Sequence, residues 1–454
     1  MRIIIVGCGK VGSTLAQSLA NEKHDIILID KSREVLENVM SNIDCMSVVG
    51  NGAIQSVLLE AQIEQADYLI ACTSSDEINI LTCLIARKSS NCKTIARIRN
   101  PEYAKQIEYI MQELDISMTI NPELATAQEI VRILRYPNSI SSDSFFKGRL
   151  NSLMIEIPEN SVIVGKKLSE INRDLNCKIL ICAIERGDDL IIPNGNSIVN
   201  KSDKILFVAD HQNVIKFFEE IGYEYKQLSS IMIVGAGRIT HYLVNIILKS
   251  NIKCSIKVIE KERESCIDLA SKYPSISVVK ADATDKNVLV QEGMHDVDAF
   301  IALTGLDEEN IILSLLSHAA NTKSIAKVNH LNFVDAIKDT QIGSIVNPER
   351  IASNIILSYV RANINSGNSD IDTLYRLFND RIEALGFKIK DDSSVTNIAL
   401  KDLKLRSNVV IAGIYRDGNV IRPNGFDRLK VGDSVVVITK DNKFTNITDI
   451  VEKE

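Results

Sequence analysis

Three glycines near the start of the chain have the spacing of a phosphate-binding turn. In "IIIVGCGKVG" (residues 3–12), Gly7, Gly9 and Gly12 follow an apolar strand pattern and open a helical one. Gly7 permits a tight turn, Gly9 lets the backbone approach a pyrophosphate, and Gly12 allows the helix to pack close to the sheet. The free N–H groups at the helix N-terminus attract phosphates. The chemistry indicated is therefore the binding of a nucleotide.

An acidic residue ends the next apolar segment, "DIILID", at Asp30. In a dinucleotide-binding fold this position accepts hydrogen bonds from ribose hydroxyls, and its charge disfavours a 2′-phosphate. The sequence therefore favours NAD(H), or another adenosine nucleotide, over NADP(H).

The same turn occurs again past the middle of the chain, in "IMIVGAGRIT" (residues 231–240). Gly235 and Gly237 repeat the first two glycines, and Glu260 stands where Asp30 stands. Thr240 replaces the third glycine, so we expect the helix and the strand to lie farther apart or to shift. The second turn is predicted to bind a nucleotide too, a different one or with lower affinity.

The repetition extends over nearly the whole chain of 454 residues. "LIACTSSDEINIL" (69–81) matches "FIALTGLDEENII" (300–312), and "INPELA" (120–125) matches "VNPERI" (346–351). A later segment, "AIERGDDLIIPNG", matches "GIYRDGNVIRPNG". The chain is thus a tandem duplication, and each half has two parts. The predicted domains are residues 1–137, 138–226, 228–365 and 366–454.

The first part of each half alternates short apolar strands with helical segments. Strict alternation of this kind predicts a parallel sheet with helices on both faces, and continuous apolar strands fit burial on both sides. The second part is smaller, with short strands and Pro-Asn-Gly turns. The predicted fold class is α/β: two Rossmann-like parallel-sheet domains, each followed by a small α+β domain. Residues 138–148 and 363–373 are predicted to be polar connecting segments.

Further polar residues fall at the carboxyl edge of the predicted sheets, where open α/β folds bind ligands. Thr73 and Ser74 follow the fourth strand of the first half, and Thr304 and Gly305 match them. Ser and Asp side chains in "TSSDE" also fit a helix N-cap, and both interpretations can hold together. Arg97 and Arg99 lie two apart in "ARIRNP", which places them on one face of a strand. They form either an exposed basic edge or a charge pairing with phosphates or a partner.

Composition excludes several classes of protein. A net charge of −7 argues against a general affinity for nucleic acid. Nine cysteines without paired spacing indicate reduced thiols rather than a disulfide framework or a zinc site. No apolar run reaches the ~18 residues of a membrane span, so we expect a soluble protein. None of the six histidines recurs at the matching place in the other half, and no separate catalytic domain follows the glycine turn. We therefore expect no enzymatic activity and no metal site.

Taken in order, "GCGKVG…ID", "ACTSSDEINIL", "ARIRNPEY", "INPE" and the "PNG…D" module resemble the TrkA-type proteins, regulatory subunits of Trk/Ktr potassium uptake systems that are built from RCK domains. The resemblance implies NAD(H) binding, with ATP or ADP at one or both sites. It implies a homo-oligomer of tandem chains, a dimer or tetramer, that forms a gating ring. The implied partner is a membrane-embedded potassium transporter of the TrkH or TrkG type. The implied location is the cytoplasmic face of the cell membrane.

The resemblance also assigns nucleotide contacts by position. In the first half these are Gly7, Cys8, Gly9, Lys10, Val11, Gly12, Asp30, Thr73, Ser74 and Arg97. In the second half they are Gly235, Ala236, Gly237, Arg238, Ile239, Glu260, Asp282, Thr304, Gly305 and Lys327. Two alternatives stay open: an NAD-dependent oxidoreductase with an unrecognised substrate, and an interaction scaffold without a ligand. The acids at 30 and 260 argue against the scaffold, because a dead site has no evident use for them.

Overall fold

In a computed structural model the chain is described over residues 1–104, 106–136, 139–146, 149–223, 228–250, 253–318, 322–330, 343–363, 371–377, 381–440, 444 and 446–452. Its contacts divide it into two compact units. One, the parallel-sheet unit, comprises Met1–Val131 and Leu228–Leu357. The other, the antiparallel-sheet unit, comprises Arg132–Gln227 and Ser358–Glu454.

The first half of the parallel-sheet unit contains six strands with helices between them. The strands are β1 (Arg2–Val6), β2 (Asp25–Asp30), β3 (Met46–Val49), β4 (Tyr68–Ala71), β5 (Lys93–Arg97) and β6 (Met118–Ile120). The helices are α1 (Lys10–Asn21), α2 (Arg33–Met40), α3 (Gln55–Glu60), α4 (Asp76–Ser89), α5 (Pro101–Ala104), α6 (Ile107–Glu113) and α7 (Pro122–Arg135). All neighbouring strands pair in parallel, in the order β3-β2-β1-β4-β5-β6.

This strand order brings the glycine turn to the point where the sheet reverses direction. β1 lies between β2 and β4, with Val6 paired to both Ile29 and Ala71. The crossovers from β1 and from β4 run to opposite sides, which opens a crevice at the carboxyl ends of these strands. The buried strand residues form a core with α3 and α4 beneath the crevice. The sheet therefore places the glycine turn and Asp30 together at the carboxyl ends of its strands.

The second half of the unit repeats this arrangement. Its strands are β12 (Ser230–Val234), β13 (Ser255–Glu260), β14 (Ser277–Lys280), β15 (Ala299–Ala302), β16 (Lys323–Lys327) and β17 (Ser344–Val346). Its helices are α10 (Arg238–Lys249), α11 (Arg263–Lys272), α12 (Lys286–Gln291), α13 (Asp307–His318) and α14 (Pro348–Ala362). The order is β14-β13-β12-β15-β16-β17, again parallel throughout.

The antiparallel-sheet unit contains two five-stranded sheets of identical order. The first comprises β7 (Ser141–Phe145), β8 (Leu150–Glu156), β9 (Leu180–Arg186), β10 (Asp189–Ile191) and β11 (Lys204–Ala209), with helices α8 (Leu168–Asp174) and α9 (His211–Glu220). The second comprises β18 (Ile371–Leu377), β19 (Ile382–Lys388), β20 (Val409–Arg416), β21 (Asn419–Ile421) and β22 (Ser434–Thr439). The orders are β10-β9-β11-β8-β7 and β18-β19-β22-β20-β21.

One apolar cluster joins the two antiparallel sheets. It contains Leu150, Cys182 and Leu206 of the first sheet and Ala412 and Val436 of the second, all buried. A second core lies on the other face of each sheet. Each sheet is therefore buried on both faces, one of them against its duplicate.

The same ion pair closes a turn in both antiparallel sheets. Arg186 donates two hydrogen bonds of 2.8 Å to the carboxylate of Asp203, and Arg416 donates two of 2.7 Å to Asp433. Both aspartates are 1% exposed. Each also accepts a backbone N–H three residues upstream, from Asn200 and from Lys430 in the second copy.

The predicted fold class is confirmed, with one local correction. Residues 138–148 are not only a connecting segment, because 141–145 form β7, which pairs with β8. β7 is an edge strand, and a polar sequence such as "SSDSF" is tolerated there. In the segment 363–373, residues 371–373 belong to β18, and 364–370 lie outside the described residues. The predicted domain boundaries near 138, 227 and 366 also lie outside the described residues and stay predictions.

Candidate nucleotide-binding sites

The three glycines of the first turn have separate structural reasons. Gly7 has φ +91°, and a Cβ there would lie 2.7 Å from the Thr73 nitrogen, so conformation and space both require glycine. A Cβ on Gly12 would lie 2.0 Å from the Gly7 carbonyl oxygen. Gly9 is different: a Cβ there would meet nothing within 4 Å. Gly9 is the N-cap of α1 and makes no side-chain cap, so it leaves the helix N-terminus open to a ligand.

Asp30 links the turn to the loop that follows β2. Its Oδ2 accepts the Cys8 N–H at 2.7 Å, and its Oδ1 accepts the Ser32 N–H at 2.9 Å. This gives the acid a structural role that does not depend on a ligand. Asp30 therefore has a use even in a site without a ligand, and its presence does not exclude the scaffold.

A cleft of about 460 Å³ opens over the first turn. Eight predicted contacts line it: Gly7, Gly9, Lys10, Val11, Asp30, Thr73, Ser74 and Arg97. Cys8 and Gly12 do not, because they are buried beneath the turn. Asn51 and Glu349 also line the cleft. Glu349 belongs to the second half, and only the repeated "NPE" motif gave a signal for it.

The rim of this cleft at the end of β4 is fixed by one asparagine. Asn79 Oδ1 accepts hydrogen bonds from the Thr73 N–H at 2.8 Å and the Thr73 hydroxyl at 2.7 Å. Its amide donates to the Arg97 carbonyl at 2.9 Å. Ser75 is the N-cap of α4 and accepts the Ile78 N–H, which confirms the capping interpretation of "TSSDE".

Arg97 and Arg99 do not share one face of a strand, because β5 ends at Arg97. Nor is β5 an exposed edge, since it lies between β4 and β6. The Arg97 guanidinium lies 3.7 Å from Glu123 and lines the cleft. Burial lowers the pKa of Arg97. Arg99 instead lies 3.6 Å from Asp76 and donates to the Ser74 carbonyl.

The second turn keeps the same backbone links with different side chains. Gly235 has φ +99°, and Glu260 accepts the Ala236 N–H at 2.6 Å and the Glu262 N–H at 2.8 Å. Thr240 is fully buried, and its hydroxyl donates to the Gly235 carbonyl at 2.5 Å. In the geometry of the first turn, a Cβ at this position would clash with that carbonyl. The second helix is therefore seated differently, as Thr240 predicts.

Several predicted contacts of the second half are engaged within that half. Lys327 Nζ donates to the Thr304 carbonyl at 2.6 Å, and burial lowers the pKa of this amine. Asp282 accepts the Thr284 N–H and hydroxyl and lies 3.3 Å from Lys261. Both side chains are therefore held by contacts within the second half.

Within the parallel-sheet unit, a cavity of about 380 Å³ lies between the two glycine turns. Four predicted contacts of the second half line it: Gly237, Arg238, Ile239 and Lys327. The residues that also line the first cleft are Val11, Arg97 and Glu349. The two spaces therefore adjoin. Burial raises the pKa of Glu349, although Lys10 and Lys327 counteract this.

The cleft contains cations suited to binding an anion, and the thiols in it and beneath it are not thiolates. Burial raises the pKa of Cys72 to about 12 and that of Cys8 further, so both thiols stay protonated at neutral pH. All nine cysteines are free, and seven of them are buried. Among the residues that line the cleft there is no histidine. Within the described parts of the chain, no three His, Cys, Asp or Glu side chains converge as a metal-ligand set.

Within the same described parts, no helix has both the length and the hydrophobicity to cross a bilayer.

Two family models match the chain, each twice. The TrkA-N domain matches residues 3–122 and 231–348, and the TrkA-C domain matches 153–222 and 385–450. The Trk system potassium uptake protein TrkA homolog of Archaeoglobus fulgidus is 30% identical over 451 residues, which cover 99% of this chain and 100% of the relative. TrkA of Haemophilus influenzae is 28% identical over 457 residues, with 99% and 98% covered.

A solved structure of similar fold is the GsuK channel bound to NAD. It matches with a TM-score of 0.62 and 17% identity, over 96% of this chain and 76% of that one. At this identity the likeness concerns the fold.

Proposed function

Since the chain belongs to the TrkA family, with TrkA-N and TrkA-C domains in tandem, we propose that it is a nucleotide-binding regulatory subunit of a potassium uptake system. The observation that carries the proposal is the open N-terminus of α1 at Gly9, facing a cleft of about 460 Å³ with Lys10 and Arg97 on its walls. A helix N-terminus with two cations is a site for phosphates.

The first cleft is the principal nucleotide site, and NAD(H) is its preferred ligand. The pyrophosphate lies over Gly9, Lys10 and Val11. Asp30 keeps lone pairs for a ribose hydroxyl beyond the two backbone bonds that it accepts. Its negative charge selects against a 2′-phosphate. The GsuK channel, which has the same fold, is described as bound to NAD.

The second turn is a site of lower affinity, with ATP or ADP as the candidate ligands. Gly237 leaves the N-terminus of α10 open, as Gly9 does for α1. Arg238 and Lys327 supply the positive charge, and Lys327 already donates one N–H to the Thr304 carbonyl. The affinity is lower because one of the three donors of Lys327 is engaged and burial lowers the pKa of this amine.

Regulation follows from differential binding rather than from catalysis. A ligand shifts a conformational equilibrium only by its difference in affinity between the two states. Nucleotide binding in the parallel-sheet unit then alters the ring formed by several chains, and through it the transporter. The partner is a membrane-embedded potassium transporter of the TrkH or TrkG type, and the chain acts at its cytoplasmic face. An oxidoreductase would need a proton-transfer group beside the nicotinamide. The described lining of the first cleft offers Glu349, whose pKa burial raises, but no histidine, so the turnover assay below separates the two functions.

The experiment is calorimetric titration of the intact protein with NADH, NAD, ATP and ADP, using Gly9→Asp and Gly237→Asp variants. Neither position has an atom within 4 Å of a new Cβ, and aspartate is a good N-cap residue. The fold is therefore retained, while a carboxylate occupies the place of the phosphates. Each variant is expected to weaken its own site by roughly a hundredfold.

Gly195→Asp is the matched control, because it introduces the same charge in an antiparallel-sheet turn. It should leave both affinities unchanged. Absence of binding by all four nucleotides at millimolar concentration would refute the proposal. NADH oxidation with candidate metabolites, at enzymatic rates, would support the oxidoreductase instead.

A further inference from the structure

The helix that follows the second glycine turn makes a polar contact with the first half of the parallel-sheet unit. Tyr242, on the second turn of α10, is 7% exposed. Its hydroxyl donates to the Arg99 carbonyl at 3.0 Å and accepts from the Asn121 amide at 2.9 Å. Both partners belong to the first half. A buried hydroxyl with a donor and an acceptor across the two folds is a fixed contact.

From Arg99 the contact continues to the rim of the first cleft. The Arg99 backbone N–H donates to Asp76 at 2.8 Å, and its guanidinium donates to the Ser74 carbonyl. Ser74 lines the cleft. Continuous hydrogen bonds and packed groups therefore run from a helix that begins at the second glycine turn to the rim of the first cleft.

Among the residues that the structure describes, the contact has no duplicate in the opposite direction. The position of Tyr242 is occupied in the first half by Thr14, which lacks the ring and its terminal hydroxyl. The counterpart of Asn121 is Asn347, whose amide donates to the Val328 and Asn329 carbonyls at 2.9 Å each, within its own half. The contact through Tyr242 is therefore a specific feature of one copy.

We propose that Tyr242 couples nucleotide occupancy of the second turn to nucleotide affinity of the first cleft. This inference depends on the proposed nucleotide-binding function. A ligand on the N-terminus of α10 displaces the helix, and Tyr242 carries the displacement to Arg99 and Ser74. By linkage, a ligand in the first cleft alters the affinity of the second turn by the same factor.

The test measures that factor in the intact chain by calorimetry with NADH and ATP. Gly237→Asp gives the affinity of the first site alone, and Gly9→Asp gives that of the second alone. The two-site isotherm of the parent then gives the coupling factor. Tyr242→Phe keeps the ring and removes the hydroxyl. In this variant the coupling factor should lie about fivefold nearer to one than in the parent. A change of about fivefold corresponds to the loss of one hydrogen bond.

Tyr273→Phe is the matched control, because the Tyr273 hydroxyl donates to the His241 carbonyl of the same helix, within the second half. This variant should leave the coupling factor unchanged. If Tyr242 has only a structural role, Tyr242→Phe will change the affinities of both single sites but leave the coupling factor unchanged.

The inference is overturned by a parent coupling factor of one, by an unchanged factor in Tyr242→Phe, or by equal changes in both tyrosine variants. Failure of the proposed function looks different, since the single-site isotherms themselves would then show no binding.

Discussion

The two glycine turns share a backbone design but seat their helices differently. In both, a glycine with positive φ precedes the helix and an acid links the turn to the next loop. Gly12 leaves room beneath the Gly7 carbonyl, whereas Thr240 fills that room and hydrogen-bonds to the Gly235 carbonyl. The difference shows that a Rossmann-like turn tolerates a side chain at its third glycine when that side chain can donate to the carbonyl it approaches.

The two halves also differ in the contacts that their cationic side chains make near the glycine turns. Lys10 and Arg97 line the first cleft, whereas Lys327 lines the cavity between the turns and also donates to the Thr304 carbonyl. The acids at 30 and 260 are structurally occupied in both halves. Their retention therefore does not indicate a working site, and the cations distinguish the two halves better.

The antiparallel sheets give the opposite result. Arg186–Asp203 and Arg416–Asp433 agree in distance within 0.1 Å, in the burial of the aspartate and in the backbone N–H that donates to it. The two halves therefore agree at this ion pair and differ at the glycine turns.

The prediction with the largest expected effect tests whether the arginine–aspartate pair stabilises the two antiparallel sheets equally. Asp203→Ala and Asp433→Ala each remove a buried carboxylate, with its bonds to a partly exposed guanidinium and to a backbone N–H. Each should lower the free energy of unfolding of its sheet by about 3 kcal/mol. Scanning calorimetry of the intact chain measures both. Asp174→Ala, which removes only exposed ion pairs, is the control and should have little effect. Clearly unequal losses would contradict the equivalence of the two sheets.

A prediction with a smaller effect tests how α1 and α10 pack against their glycine turns. Gly12→Ala places a Cβ 2.0 Å from a carbonyl oxygen and should cost about 1–3 kcal/mol, with weaker binding at the first site. Thr240→Ala introduces no clash and loses one hydrogen bond, about 1 kcal/mol. Melting temperatures and titrations measure the pair. A neutral Gly12→Ala would show that the first turn already tolerates the second geometry.

The smallest effect compares two glutamates at matching positions. Glu123→Gln leaves Arg97 without its carboxylate and should destabilise the protein by about 1 kcal/mol. Glu349→Gln should have the opposite sign at neutral pH, because burial raises the pKa of Glu349 and the folded protein disfavours its charge. The penalty is absent at low pH and grows as pH rises above the ordinary value of 4.5.

Denaturant unfolding of both glutamate variants between pH 4 and 8 checks this sign. The gain from Glu349→Gln should disappear towards the acidic end. A loss of stability at neutral pH would show that Lys10 and Lys327 outweigh the burial of this carboxyl.

Much of the fold could be predicted from the sequence, because apolar runs such as "RIIIV" and the turn glycines report on local geometry. β7 was missed, since its polar sequence is stabilised by pairing with β8 rather than by burial pattern. Arg99 was placed on a strand that ends two residues earlier, because strand ends depend on the neighbouring strand.

The candidate site was predictable where the contacts are local in sequence. Eight predicted nucleotide contacts of the first half line one cleft, and their contact with a nucleotide stays a prediction. Glu349 and Tyr242 were not predicted, because they reach the first half from the other copy. A repeat in the sequence shows that two copies exist but not which faces of them meet.

The apolar cluster shared by the two antiparallel sheets has a consequence for how the duplication could diverge. If the two sheets belonged to separate chains, the rate and the extent of cluster formation would depend on protein concentration. Fusion makes the encounter intramolecular, at an effective concentration in the millimolar range. Fusion also removes the constraint that a substitution appear on both sides of a twofold axis. A residue such as Tyr242 can therefore be present in one copy only. The fold that carries it can then act on the fold that lacks it.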